Sequence, residues 1–360
     1  MLQKKMSLSD IIFRNNGFST GFDYLRIVLA IAVVAWHGIK VVSGVDSAEW
    51  HGSLRSLAGL MLPMFFSLSG FLVAGSLERV SGLCEFLLLR AIRIVPALAV
   101  EVLLSALILG ACLTTLPLAG YITSDVFHRY FFNIVGHIQY QLPGVFEANP
   151  FPGIINLSLW TVPFELECYL VLSAMMLLGW AKRPWLVVAA CLAAILLLTM
   201  QAYPLRDEMQ YLRPKGKALI LAFVIGVLVY QYRAKILYGH VFAAISALLA
   251  LALLSQAWLQ YLALPFVAYV TVYLGLQTPK KYTFVMRGDY SYGLYLFAFP
   301  LQQLHVFLFG INATWAGNVT FALCFGMLYA AFSWHCVERP ILTRRKIIAA
   351  FFGKTKAVSA

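Results

Sequence analysis

Ten apolar runs, each about long enough to cross a hydrocarbon core, leave this chain few ways to fold. They cover approximately residues 24–43, 55–77, 91–116, 157–178, 184–202, 216–232, 239–256, 259–277, 291–310 and 319–340. A core about 30 Å thick is spanned by roughly 20 residues of helix at about 1.5 Å each. No water is available there to satisfy backbone groups, so the spans must be helical. The composition agrees: 61% apolar, 14% aromatic and 12% charged residues do not describe a soluble domain. The expected fold is all-α, a polytopic membrane helix bundle of about ten transmembrane helices. A membrane domain over 24–340 would lie between a short segment 1–23 and a basic tail 341–360. Residues 1–22 are polar and basic with no small-residue cleavage site, so the first span is expected to act as a signal anchor.

The net charge of +12 bears first on orientation. Of the 27 lysines and arginines, twenty fall on the side shared by the two termini and seven on the other. The basic excess is expected to place both termini of a multi-pass membrane protein in the cytoplasm. The loop 203–217 dissents, being basic on the outer side. No run of Lys and Arg interleaved with aromatics suggests a nucleic-acid partner; the expected partner is the lipid bilayer. The six cysteines show no CxxC spacing and read as free thiols. No histidine, cysteine and carboxylate cluster has metal-ligand spacing, so no metal is expected.

The first span carries polar groups that lipid would not accept. Arg26 and His37 are eleven residues apart, three helical turns plus about 20°, and so share a face. Asp23 lies about 40° from His37 on the same side. Arg26 and His37 are separated by about 16 Å along the axis, half a hydrocarbon core. Such a stripe must look into protein or a water-filled cavity. Glu165 in the fourth span comes about 13 Å down from its outer end, and Gln302, Gln303 and His305 in the ninth rise to roughly 16–21 Å. With His37 at about 20 Å, these helices offer polar groups at one depth.

Other stretches add candidates. Pro63, Ser67, Ser69 and Gly70 in the second span can serve close helix packing or line a chamber. Arg90 and Arg93, at the mouth of the third span, share a face and form a fork that suits phosphate oxygens or anchors the helix at lipid headgroups. Glu165 and Glu167 cannot share a face, and Glu165 is read as the inward one. Glu101 and the pair Trp334-His335 are weaker leads. Asp289 or Ser291 reads as a helix cap, and Glu338-Arg339 as a terminal ion pair.

The order of these pieces is more specific than any one of them. From Phe22 to Pro340 the chain runs D-x-x-R-(x10)-H, F-F-x-x-S-G-F, R-x-x-R-x-x-P, L-W-T-x-P-x-E-x-x-x-Y, G-D-x-S-Y-G-x-Y and E-R-P. This resembles the family-3 membrane acyltransferases, bacterial integral-membrane O-acyltransferases of surface glycans. The resemblance implies about ten spans, an acyl-coenzyme A donor (acetyl first) reached from the cytoplasm, and an acceptor hydroxyl on a glycan or lipid-linked sugar. It leaves room for other polysaccharide-assembly proteins as partners. It also implies essential roles for His37 and Arg26, and matches Arg90 and Arg93 to the family's arginine pair. One departure is that many members carry a histidine in the ninth span, within Leu-x-x-His-x-Pro, where this chain reads Leu296-Phe-Ala298-Phe-Pro300. Its place is vacant here or is taken by Gln302, Gln303 or His305.

Acyl transfer to a hydroxyl needs a base, an oxyanion stabiliser and a grip on the polyphosphate donor. His37 is the neutral-range base on the polar stripe, acting directly or through an acyl-imidazole. Glu165 or Asp23 could orient it. Arg90 and Arg93, with Ser69, are the donor-binding candidates. The same buried charges and proline-bent spans would also suit a proton-coupled secondary transporter of a small polar or saccharide substrate.

Overall fold

The computed structural model describes residues 6–345 apart from 16, 18, 45–54, 81, 206–215, 281 and 283–287. Arg206, Arg213 and Lys215 of the basic loop, and the tail from Lys346 on, lie outside these residues. Among the described residues every regular element is a helix, and the only β-type pairing is an isolated bridge between Ser7 and Leu237. A short α1 (Leu8–Arg14) precedes α2 (Gly21–Ser43), α3 (Arg55–Leu77) and α4 (Leu83–Leu113, with a π-turn at Ser105–Gly110). Two short helices follow, α5 (Leu118–Thr123) and α6 (Asp125–Tyr130). Next come α7 (Val162–Leu177), α8 (Pro184–Ala202), α9 (Gly216–Gln231) and α10 (His240–Leu254). The chain closes with α11 (Gln260–Gly275), α12 (Tyr290–Phe309) and α13 (Trp315–Thr343, with a π-turn at Ser333–Glu338).

Among the described residues eight helices are long and apolar enough to cross a membrane, and α9 and α10 are shorter apolar helices. Together they fall on the ten segments expected from the sequence. At 16 and 15 residues, α9 and α10 are about 24 and 22 Å long, short of a full hydrocarbon core. The largest boundary difference is in α4. It begins at Leu83, so Arg90 and Arg93 lie seven and ten residues inside the helix, about 10 and 15 Å from its start, rather than at its mouth. Leu83, Phe86 and the leucines at 87–89 favour helix, and the charges among them do not mark its end.

The chain divides into two compact units. The first holds residues 1–29, 48–79 and 164–286. Its centre is α9, buried on nearly every face from Ala218 to Val229, as a helix apolar all round should be. Helices α3 and α9 meet backbone to backbone: a Cβ added to Gly70 would lie 2.0 Å from the Phe223 carbonyl oxygen, and one on Gly226 2.2 Å from that of Ser67. The small-residue stretch of the second span therefore packs helices.

The second unit holds residues 30–47, 80–163 and 287–360. Here α12 and α13 form an antiparallel pair joined by a turn at Gly310–Asn312. Thr314 caps α13 by accepting the Gly317 N–H at 3.1 Å. Gly293 lies against Ala330, and Gly326 against Leu294, so the two helices approach closely. The C-terminal half of α2 joins them at Gly38, where an added Cβ would sit 2.9 Å from Val319 and 3.1 Å from Gln302 Nε2.

Candidate functional site

The polar residues of the second unit gather into three centres. At the first, His37 is partly buried and its ring meets Phe299 edge to face, centroids 5.3 Å apart. Phe299 in turn touches Phe151, and the Lys40 ammonium lies over the Phe151 ring at 5.1 Å. One turn before His37, the Val34 carbonyl accepts from Gln302 Nε2 at 2.8 Å. Trp315 Nε1 donates to the Ala35 carbonyl at 2.8 Å. Asn318 Nδ2 donates to the Gln302 carbonyl at 2.9 Å. Of the three side chains considered as replacements for a ninth-span histidine, Gln302 is the one bonded to the helix that carries His37. Gln303 turns away to the carbonyls of Phe151 and Ile154, both at 2.7 Å, and to Asn149. His305 packs among Phe309, Phe321 and Asn318.

The second centre is built on Arg93. Its Nη1 donates to Glu338 Oε2 at 2.7 Å, and its Nη2 pairs with Asp289 Oδ2. Ser333 Oγ donates to the other Glu338 oxygen at 3.0 Å, and Ser291 Oγ to the other Asp289 oxygen at 2.6 Å. The guanidinium also lies over the rings of Tyr292 and Trp334. Neither carboxylate plays the part its sequence position suggests. Asp289 makes no side-chain cap to α12, and Glu338, on the π-turn of α13, pairs with Arg93 rather than only ending a helix. Three motifs far apart in sequence thus meet on one guanidinium. Its neighbour Arg90 lies near the Phe86 ring, 5.9 Å away.

The third centre is Glu101, fully buried in α4. Its Oε1 accepts from Ser105 Oγ and from Asn156 Nδ2, each at 2.9 Å. Asn156, also fully buried, donates to the Leu296 carbonyl at 2.7 Å and accepts the Ser158 N–H at 3.0 Å, which starts the turn Leu157–Thr161. Thr161 and Tyr295 share a hydrogen bond of 2.8 Å, tying that turn to α12 a second time. Glu101 was a weak lead in the sequence, and Asn156 only the start of a span. Asn149 and Asn318 gave no sequence signal, because a lone amide in an apolar run has no periodicity to read.

The remaining candidates lie in the first unit. Asp23 and Arg26 form an ion pair at 3.6 Å, both partly exposed. The start of α2 is held by Thr20 Oγ1 donating to the Pro279 carbonyl at 3.0 Å and Tyr24 OH donating to that of Lys280 at 2.8 Å. A cavity of about 280 Å³ opens beside Asp23, with Arg79 and Tyr230 on its wall. Ser69 is partly buried on α3. Glu165 is partly buried and accepts from Tyr169 OH at 2.7 Å, whereas Glu167 is exposed, the division expected of two neighbours on a helix. Arg26 and His37 are carried by one unbroken helix, α2.

A family profile described as an acyltransferase domain matches residues 19–338. An O-acetyl transferase of Shigella phage Sf6 is 25% identical over 347 residues, covering 91% of this chain and 97% of the relative. Nodulation protein 10 of Rhizobium leguminosarum bv. viciae is 28% identical over 367 aligned residues, covering 93% of this chain and 96% of the relative. No solved structure matches.

Proposed function

The chain belongs to the family-3 acyltransferases, and from that membership we propose that it is a membrane O-acetyltransferase moving an acetyl group from acetyl-coenzyme A to a hydroxyl of a surface polysaccharide or related glycan. The phage relative's being an O-acetyl transferase supports acetyl as the group and oxygen as its acceptor. The observation that carries the reading is His37: a titratable imidazole within an apolar helix, its ring set against Phe299 and its helix bonded by Gln302.

In this reading the acceptor hydroxyl gives its proton to His37 as its oxygen attacks the thioester carbonyl. The carbon–sulfur bond then breaks, and the imidazolium returns the proton to the departing thiolate, so the transfer is proton-neutral. A direct base is the simpler role; an acyl-imidazole on His37 would divide the same transfer in two. Arg26, Asp23 and Glu165 are proposed to compensate charge along the path, and Arg90, Arg93 and Ser69 to hold the donor. Arg93 already binds two carboxylates. Donor phosphates would reach it by exchange with Asp289, 22% exposed, rather than with Glu338, 2% exposed.

The test uses membranes carrying wild type, His37→Ala, or Arg90→Ala/Arg93→Ala, given radiolabelled acetyl-coenzyme A and extracted glycan. Label entering the glycan with wild type and lost in both variants, at equal protein levels, supports the enzyme and its two sites. Saccharide flux persisting in vesicles while no label is transferred by any of them makes the protein a transporter.

A further inference from the structure

We propose that Asn156 and Glu101 are positioning residues: Asn156 supplies the hydrogen bond that Pro300 cannot give, and Glu101 aims it, so that α12 presents Phe299 to His37. This rests on the reading of His37 as the reacting base.

In an α-helix the carbonyl of residue i accepts the N–H of residue i+4. The partner of Leu296 would be residue 300, which is proline and has no N–H. Leu296 is fully buried, so water cannot take its place, and an orphaned carbonyl there is costly. Asn156 Nδ2 fills the gap at 2.7 Å. The direction of that amide is set from its other side. Its second N–H goes to Glu101 Oε1 at 2.9 Å, and its Oδ1 accepts the Ser158 N–H at 3.0 Å. A flipped amide would turn its oxygen towards two acceptors, the carboxyl and the carbonyl, and its nitrogen towards a donor. Glu101 is itself held by Ser105 Oγ, next to the π-turn of α4.

Phe299 stands three residues after Leu296, one turn along α12, and immediately before Pro300. It is fully buried, with one neighbour at Phe151 and the other at His37. The ring that borders the imidazole is therefore carried by the same turn of helix that lacks its own hydrogen bond. Every contact in the series Glu101, Asn156, Leu296, Phe299, His37 lies within the second unit.

The test combines kinetics with a double-mutant cycle. Asn156→Ala should lower kcat about tenfold and leave both KM values within about twofold, because positioning is lost and binding is not. Glu101→Ala should do the same. Glu101→Gln should recover at least half of wild-type kcat: its carbonyl can accept both bonds, and Glu101 Oε2 makes no hydrogen bond that the amide nitrogen would break. Pro300→Ala restores an N–H to the Leu296 carbonyl. In that background Asn156→Ala should lower the melting temperature by less than half of what it does alone. The proposal is overturned if Asn156→Ala keeps wild-type kcat, if Glu101→Gln is as impaired as Glu101→Ala, or if Asn156→Ala costs the same stability in both backgrounds. The melting cycle needs neither donor nor acceptor. Should wild type transfer no acetyl group, the proposed function fails by itself, and the cycle still decides whether Asn156 replaces the missing donor.

Discussion

Arg93 shows what a single side chain does in this molecule. It neutralises two carboxylates that are far apart in sequence but meet at one end of the antiparallel α12–α13 pair, where α12 begins and α13 ends, and one of them, Glu338, is nearly inaccessible to water. Removing one partner of a buried pair leaves the other charge uncompensated, which costs about 3–5 kcal/mol. Arg93 is 25% exposed, so Arg93→Ala should fall near the lower end, about 3 kcal/mol, read as a drop in thermal midpoint in detergent. Adding Glu338→Gln should recover part of that loss by removing the stranded charge. A double variant no more stable than Arg93→Ala would mean the pair is not the source. The arginine pair and the terminal Glu-Arg-Pro were visible in the sequence, but their meeting was not. Arg93 and Glu338 are 245 positions apart, and nothing local to either favours the other.

At the scale of elements, apolar length made the helices legible because lipid admits few alternatives to a helix. What misled was charge. Arg90 and Arg93 look like the edge of a span, yet α4 starts two turns earlier, and its cations are buffered by carboxylates and rings supplied from elsewhere. Small residues were ambiguous for another reason: a Gly or Ser in an apolar run reads equally as packing surface or as cavity wall. The structure resolves Gly70 and Gly226 as packing, since neither has room for a Cβ. Gly70→Val or Gly226→Val should therefore separate α3 from α9, with a large loss of folded, monodisperse protein on size-exclusion chromatography. Gly120→Ala, on α5 with nothing within 4 Å of the added carbon, should be neutral or stabilising by up to about 1 kcal/mol. Equal behaviour of the three variants would contradict the packing assignment.

The molecule as a whole is assembled out of sequence order. Each compact unit is drawn from three separated stretches of chain, and α2 passes from one to the other between Arg26 and His37. Two of the five crossings, at 29/30 and 163/164, fall inside apolar helices, and the other three fall in polar stretches no different from those between any two spans, which is why the sequence reads as one continuous membrane domain. The motifs nonetheless keep their logic. Four of them supply residues to the three centres of the second unit besides His37, and these centres would have to form together for activity. A reporter fused to either terminus should show the same side of the membrane, with both cytoplasmic; opposite sides would mean an odd number of crossings and would undo the proposed cytoplasmic entry of the donor. The central claim is that His37 does the chemistry of acetyl transfer. The most direct measurement is release of free thiol from acetyl-coenzyme A by purified protein in detergent, with and without glycan acceptor, for wild type and His37→Ala at equal folded amounts. The account predicts acceptor-dependent release by wild type and a loss of about a hundredfold or more in the variant. Release by His37→Ala at the wild-type rate would contradict it.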